Sequence, residues 1–254
     1  MRTPDDADAV RNVPAQQALA AFAAHRDRQH WVLAVRTLLQ GRLLTDVTQA
    51  VRDPEDGTPA SVSGGRTTGG VPVVFAYTDL SAVVAHTGVA RPDVAPVTAV
   101  GALQLAAAAG PGTGLAVDPA GAGLVVDPAE LAAVLRSHRN GPVKEALVLG
   151  DRDLLLRVLA AQLAGDAVLL EAVTAPTPSA PVVTTHLPDG RAAALAFSSA
   201  LEVEAVLPGS ASAVRPLRAY LEHLLAVGRP GLVLDPAGPS VTVTPDELRR
   251  VLGA

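Results

Sequence analysis

Apolar residues recur at helical spacing between positions 16 and 40, interrupted by the polar run HRDRQH at 25–30. The period predicts a helix that breaks there, stops at Gly41 and gives way to a strand near 43–51. Residues 52–70 are polar and Gly-rich and read as a loop, followed by a strand at 72–77 and helices near 79–87 and 97–108. Short apolar runs at 115–117 and 124–126 flank DPAG and predict a hairpin, after which DPAEL starts a helix. SHRNGP, at 137–142, has the look of a helix end and marks a domain boundary. The pattern is weak near 143–150, then predicts a helix at 151–164 and a strand at 167–173. Pro-Asp-Gly at 188–190 splits 182–197 into a second hairpin. Helices near 214–225 and 245–252 flank a last hairpin, with strands at 232–234 and 241–243.

The chain repeats itself. GLAVDPAGAGLVVDPAELAAVL begins at Gly114 and GLVLDPAGPSVTVTPDELRRVL at Gly231, about half identical without a gap. Each copy has a helix cap (Asp127; Thr244), Pro at the first helical position (Pro128; Pro245) and Glu two residues on (Glu130; Glu247). Asp118, Pro119 and Gly121, and again Asp235, Pro236 and Gly238, are the residues of a structural turn. The Asp bonds nearby backbone, Pro presets φ and Gly supplies a positive φ. This reading is favoured over paired catalytic acids. Upstream, FAYTDLSAV (75–83) matches LAFSSALEV (195–203), and LLQGRLLTDVT (38–48) matches LAGDAVLLEAVT (163–174), more weakly. The expected fold is α+β: two tandem, internally duplicated domains, each a mainly antiparallel or mixed sheet with flanking helices. The boundaries are a flexible N-terminus at 1–14, a first domain at 15–138 and a second at 139–254.

Composition narrows the chemistry. Hydrophobic residues make up 49% of the chain and aromatics 2%, so the core is built from small aliphatic side chains. The net charge of −5 argues against a nucleic-acid surface, which needs clustered basic residues. The absence of cysteine excludes disulfides, thiolate catalysis and Cys-ligated zinc. No apolar run has the length of a membrane span, and the polar, acid-bearing start does not resemble a secretory signal; both predict a cytoplasmic location without membrane contact.

Candidate motifs mostly reduce to structure. SGGRTTGG (63–70) lacks the Lys and following helix of a phosphate loop and reads as a hairpin connection. None of the six histidines is paired at H-x-x-x-H spacing, and His25 and His30 would lie about 140° apart on one helix; no metal site and no cofactor is expected. Ser198-Ser199 and Thr78-Asp79 sit between a strand and a helix, where capping is favoured over a nucleophile turn. His186 and His223 read as surface positions, so no catalytic residues are assigned. Arg26, Arg28 and Trp31 could anchor a partner, although burial of Trp31 is the favoured alternative.

Helix-Gly-strand, the aromatic-Ser/Thr strand end and the duplicated GLVLDPAG…PDEL segment resemble the N-terminal domain of SseB-type proteins. That family is named for an enhanced serine-sensitivity phenotype and is common in actinobacteria. The resemblance covers most of both halves and brings no catalytic residues with it. It implies a non-catalytic binding or regulatory module whose expected partner is another protein. The alternatives are a small-molecule sensor or enzyme with a pocket between the two domains, and, from family context, a secretion- or toxin-immunity-associated protein.

Overall fold

Both halves of the chain begin with an asparagine that caps a helix carrying Pro in its first turn. Asn12 accepts from the Ala15 N–H and Asn140 from the Val143 N–H, each at 3.2 Å. The computed structural model describes residues 10–48, 62–137, 140–173 and 183–253, and the chain divides between Arg136 and Ser137 into two units. The first unit runs α1 (Val13–His25), α2 (Arg28–Leu38), β1 (Arg42–Asp46), β2 (Gly64–Arg66), β3 (Pro72–Ala76), α3 (Leu80–Thr87), β4 (Val94–Thr98), α4 (Ala99–Ala108), β5 (Gly114–Val117), β6 (Leu124–Val126) and α5 (Pro128–Arg136). The second has the same order: α6 (Gly141–Leu149), α7 (Arg152–Gln162), β7 (Val168–Val173), β8 (Thr184–His186), β9 (Ala192–Ala196), α8 (Ala200–Val206), β10 (Ala211–Pro216), α9 (Leu217–Ala226), β11 (Leu232–Leu234), β12 (Val241–Val243) and α10 (Pro245–Leu252).

Sheet topology repeats as well. The strands of one four-stranded sheet are ordered β2-β3-β5-β6, those of the other β8-β9-β11-β12. Only the central pairs, β3–β5 and β9–β11, are parallel. A two-stranded antiparallel ladder, β1–β4 or β7–β10, joins each sheet through one bridge, Leu44–Tyr77 or Leu170–Phe197. Alternation along the strands then sorts the core into two faces. In the second unit Ala194, Ala196, Leu232 and Leu234 pack under Leu147, Leu155, Leu221 and Leu248 of the four helices on one side. Ala193, Leu195, Phe197 and Val233 face Val203 of α8 on the other. The α+β class and the duplication match the sequence-based expectation.

Four elements differ from it. The edge strands β4 and β10 lie where helices were expected to begin, at 97 and 214. Pro96 and Pro216 disguise them, but an edge strand tolerates Pro because one side of its backbone needs no ladder partner. Helix α6 occupies the weak stretch at 143–150: Asn140-Gly141-Pro142 starts a helix instead of ending one. Part of the expected 52–70 loop is β2, whose glycines are needed for close approach; a Cβ on Gly65 would stand 2.7 Å from the Phe75 ring. The first unit also begins before residue 15, since Val10 and Asn12 are buried. Positions 1–9, 49–61, 138–139, 174–182 and 254, which take in the end of the expected first strand, most of that loop and His138, lie outside the described residues.

The turn glycines are a further correction. The positive φ falls on Asp118 (48°) and Asp235 (47°), while Gly121 and Gly238 close the turns by donating to those aspartates' carbonyls at 3.0 and 3.1 Å. Asp tolerates this left-handed geometry better than most residues. Its carboxylate does not fold back on its own turn but reaches the neighbouring strand end, as described below.

Each unit also closes an Arg–Glu clamp from its second helix to its last. Arg28 donates to Glu130 at 2.9 Å, and Arg152 grips Glu247 through two bonds of 2.6 and 2.7 Å. Glu247 completes a capping box with Thr244. Bonding to Arg152 holds its carboxyl down at about 2. Burial and the adjacent Asp127 raise Glu130 instead. A depressed carboxyl contributes stability that is complete above its ordinary 4.5 and is lost as the pH falls toward 2. With Arg152 47% exposed, solvent screening reduces this contribution to about 1–2 kcal/mol. Urea unfolding at pH 7 and pH 2 should therefore show wild type losing its advantage over Arg152→Met across that window. An advantage that persists at pH 2 would place the contribution of Arg152 in packing.

Candidate functional site: a polar cavity in the first unit

β3 places Phe75 on one sheet face, and the chain continues extended to Tyr77 on that same face. The antiparallel bridge from Leu44 to Tyr77 brings the end of β1, with Asp46, alongside them. Asp79 caps α3 by accepting from the Ala82 N–H at 2.9 Å, and the helix carries His86 back over the sheet. Asp46, Phe75, Tyr77 and His86, together with Ser63 and Thr48, line a cavity of about 430 Å³.

Its polar groups are tightly placed. The Tyr77 hydroxyl and His86 Nδ1 share a hydrogen bond of 2.8 Å, and the Phe75 ring meets the imidazole edge-on at 4.5 Å. Burial pushes the Tyr77 phenol up to about 12, so it stays protonated. Asp46 is 8% exposed, and its Oδ1 accepts from the Thr48 N–H and hydroxyl at 2.9 and 2.6 Å. The Ser63 hydroxyl is inaccessible to solvent and lies on the Tyr77 side, where it counteracts part of the upward shift of the phenol.

The second unit shows what these positions become without such a cavity. Ser63 and Val183 each donate their N–H to the carbonyl of the residue aligned beside them, Asp46 and Ala172 respectively. The two strand–helix junctions align Tyr77 with Phe197 and His86 with Val206. Ala172 and Phe197 belong to a buried apolar cluster, with Val183 and Val206 packed against it. Tyr77 also belongs to a buried apolar cluster with Val10, Leu44 and Val83, so the first copy keeps an apolar core and adds polar groups at its edge. Burying polar groups costs free energy unless they are fully partnered.

The residues singled out from sequence mostly serve structure. Asp118 accepts from the Thr78 N–H and hydroxyl at 2.8 and 2.6 Å, and Asp235 accepts from Ser198 at the same two distances. The capping role falls to the second residue of each pair, Asp79 and Ser199, while Thr78 and Ser198 are held by the turn aspartates. Asn12 and Asn140 complete each latch by donating their N–H to the carbonyls of Thr78 and Ser198. Lys144 joins only the second latch, reaching Asp235 at 2.9 Å and Glu202 at 2.6 Å. His186 and His223 are exposed. His25 and His30 do not share a helix; the break at Arg26 stacks their rings 4.2 Å apart. Trp31 is buried at 6% exposure beneath the exposed Arg28, whose guanidinium lies 4.1 Å over its ring; Arg26 is exposed. Among the described residues no cluster of three or more acids and histidines is placed to hold a metal, and no helix is long and apolar enough to cross a membrane.

Sequence reasoning used Tyr77 only as a repeat marker and passed over Asp46, Ser63 and His86. The signal was present in the alignment of the two copies, as polar residues opposite apolar ones.

The model of the SseB protein N-terminal domain matches the chain twice, at residues 16–133 and 131–250. No curated protein and no solved structure matches it. The two matches follow the two structural units, and the chain belongs to the SseB family, carrying its N-terminal domain in two tandem copies.

Proposed function

We propose that this chain is a non-catalytic, cytoplasmic binding module of the SseB type, in which the first unit receives a small ligand and the second is its packed counterpart. The observation that carries this reading is the polar cavity of Asp46, Ser63, Tyr77 and His86 on positions that are apolar in the other copy. A phenol held at about 12 is a hydrogen-bonding group and a poor proton shuttle at neutral pH, which favours binding over catalysis. A protein partner is the second reading; it is supported by Val148 and Leu149 at the end of α6, the latter 64% exposed.

The test is to give the first unit the residues of the second: Asp46→Ala, Ser63→Val, Tyr77→Phe and His86→Val together. If the polar groups are kept for binding, the repacked chain gains about 1–2 kcal/mol in urea unfolding, since function and stability trade against each other at such sites. A repacked chain less stable than wild type by that amount would make these side chains structural and overturn the reading.

A further inference from the structure

Buried carboxylates in the second unit all have cations. Glu171 pairs with Arg215, Glu202 and Asp235 with Lys144, and Glu247 with Arg152. Asp46 is also buried, at 8% exposure, and its carboxylate has none: among the described residues that carboxylate's only partners are the N–H and hydroxyl of Thr48, both on Oδ1. The cavity that Asp46 lines also offers aromatic surface from Phe75. No Lys or Arg lines it among the described residues. A buried carboxylate without a counter-charge is strongly disfavoured, and an ammonium supplies that charge together with hydrogen-bond donors. Aromatic walls favour the same charge. The volume, about 430 Å³, suits a small organic molecule.

We infer that the cavity of the first unit binds a small organic ammonium, with Asp46 as its counter-ion. This deepens the small-ligand reading above and rests on it. The ammonium donates to Asp46 Oδ2, while its alkyl part lies against Phe75.

Three probes of similar size separate charge from shape: propylammonium, propanol and propionate, titrated at constant ionic strength into the full chain. Binding is read from the NMR shifts of Thr48, Ser63, Tyr77 and His86. Propylammonium is expected to move these signals saturably and propanol to bind at least about tenfold more weakly, the loss expected for one charge-assisted hydrogen bond. Asp46→Asn should weaken propylammonium by a similar factor. Tyr77→Phe keeps the carboxylate and should bind within a few-fold of wild type, so the inference stays testable if Asp46→Asn misfolds. Propanol or propionate binding at these residues as tightly as propylammonium would overturn the ammonium assignment and leave a ligand cavity of other chemistry. No response to any probe would also overturn it, whereas the small-ligand reading itself is decided separately by the stability of the repacked chain.

Discussion

Replacing Lys144 with alanine is expected to destabilise the second unit by about 3–5 kcal/mol, the usual cost of removing one member of a buried ionic network. The cost arises because Asp235, fully buried, and Glu202, nearly so, would lose the ammonium that both contact. The first unit shows how the same latch forms without a cation. By position after the capping asparagine, Gln16 stands where Lys144 does, and it donates to Asp79 at 2.7 Å. Ala82 stands where Glu202 does. Introducing Lys144→Gln and Glu202→Ala together should therefore recover more than half of the loss. Urea unfolding, with hydrogen exchange of the β9 and β11 amides to localise the effect, checks both values. A double variant as unstable as Lys144→Ala would show that the lysine contributes mainly by packing its stem.

Alanine at Asp235 is expected to cost about 3–5 kcal/mol, and at Asp118 about 2–3 kcal/mol. Both substitutions leave a hydroxyl and an N–H of the neighbouring strand end without their acceptor and force alanine to a positive φ. Only Asp235 also leaves a lysine behind. Asparagine separates the two sites. Burial raises the Asp118 carboxyl above its usual 3.8. Its charged form is thus disfavoured by folding, and the penalty is complete above the raised value and vanishes below 3.8. Asp118→Asn, neutral and tolerant of positive φ, should lie within about 1 kcal/mol of wild type at pH 7. It should compare less favourably as the pH falls and the wild-type penalty disappears. Asp235→Asn loses its charge beside Lys144 and should remain destabilised by about 2 kcal/mol or more at pH 7. Thermal unfolding of the four variants at pH 7 and pH 3 distinguishes them. Equal losses in the two asparagine variants at neutral pH would mean that Lys144 does not depend on Asp235.

Much of this architecture is legible in local chemistry. Pro128 and Pro245 sit in the first turns of their helices, Asp127 and Thr244 cap them, and the hairpins around Asp118 and Asp235 lie where their turn residues put them. Such features depend on neighbours a few residues away, and the repeat of the whole pattern made the duplication visible. Tertiary structure decided the rest. The strands β4 and β10 exist because β1 and β7 supply a ladder for segments with proline in them. Asp118 and Asp235 take the strained backbone, and not the glycines, because a carboxylate there reaches Thr78 or Ser198 some forty residues away. Asp46, Ser63, Tyr77 and His86 come from four separate segments, and no local pattern connects them. Only the sheet register and the cap of α3 gather them around one cavity, because tertiary pairing and not local sequence decides which distant side chains meet.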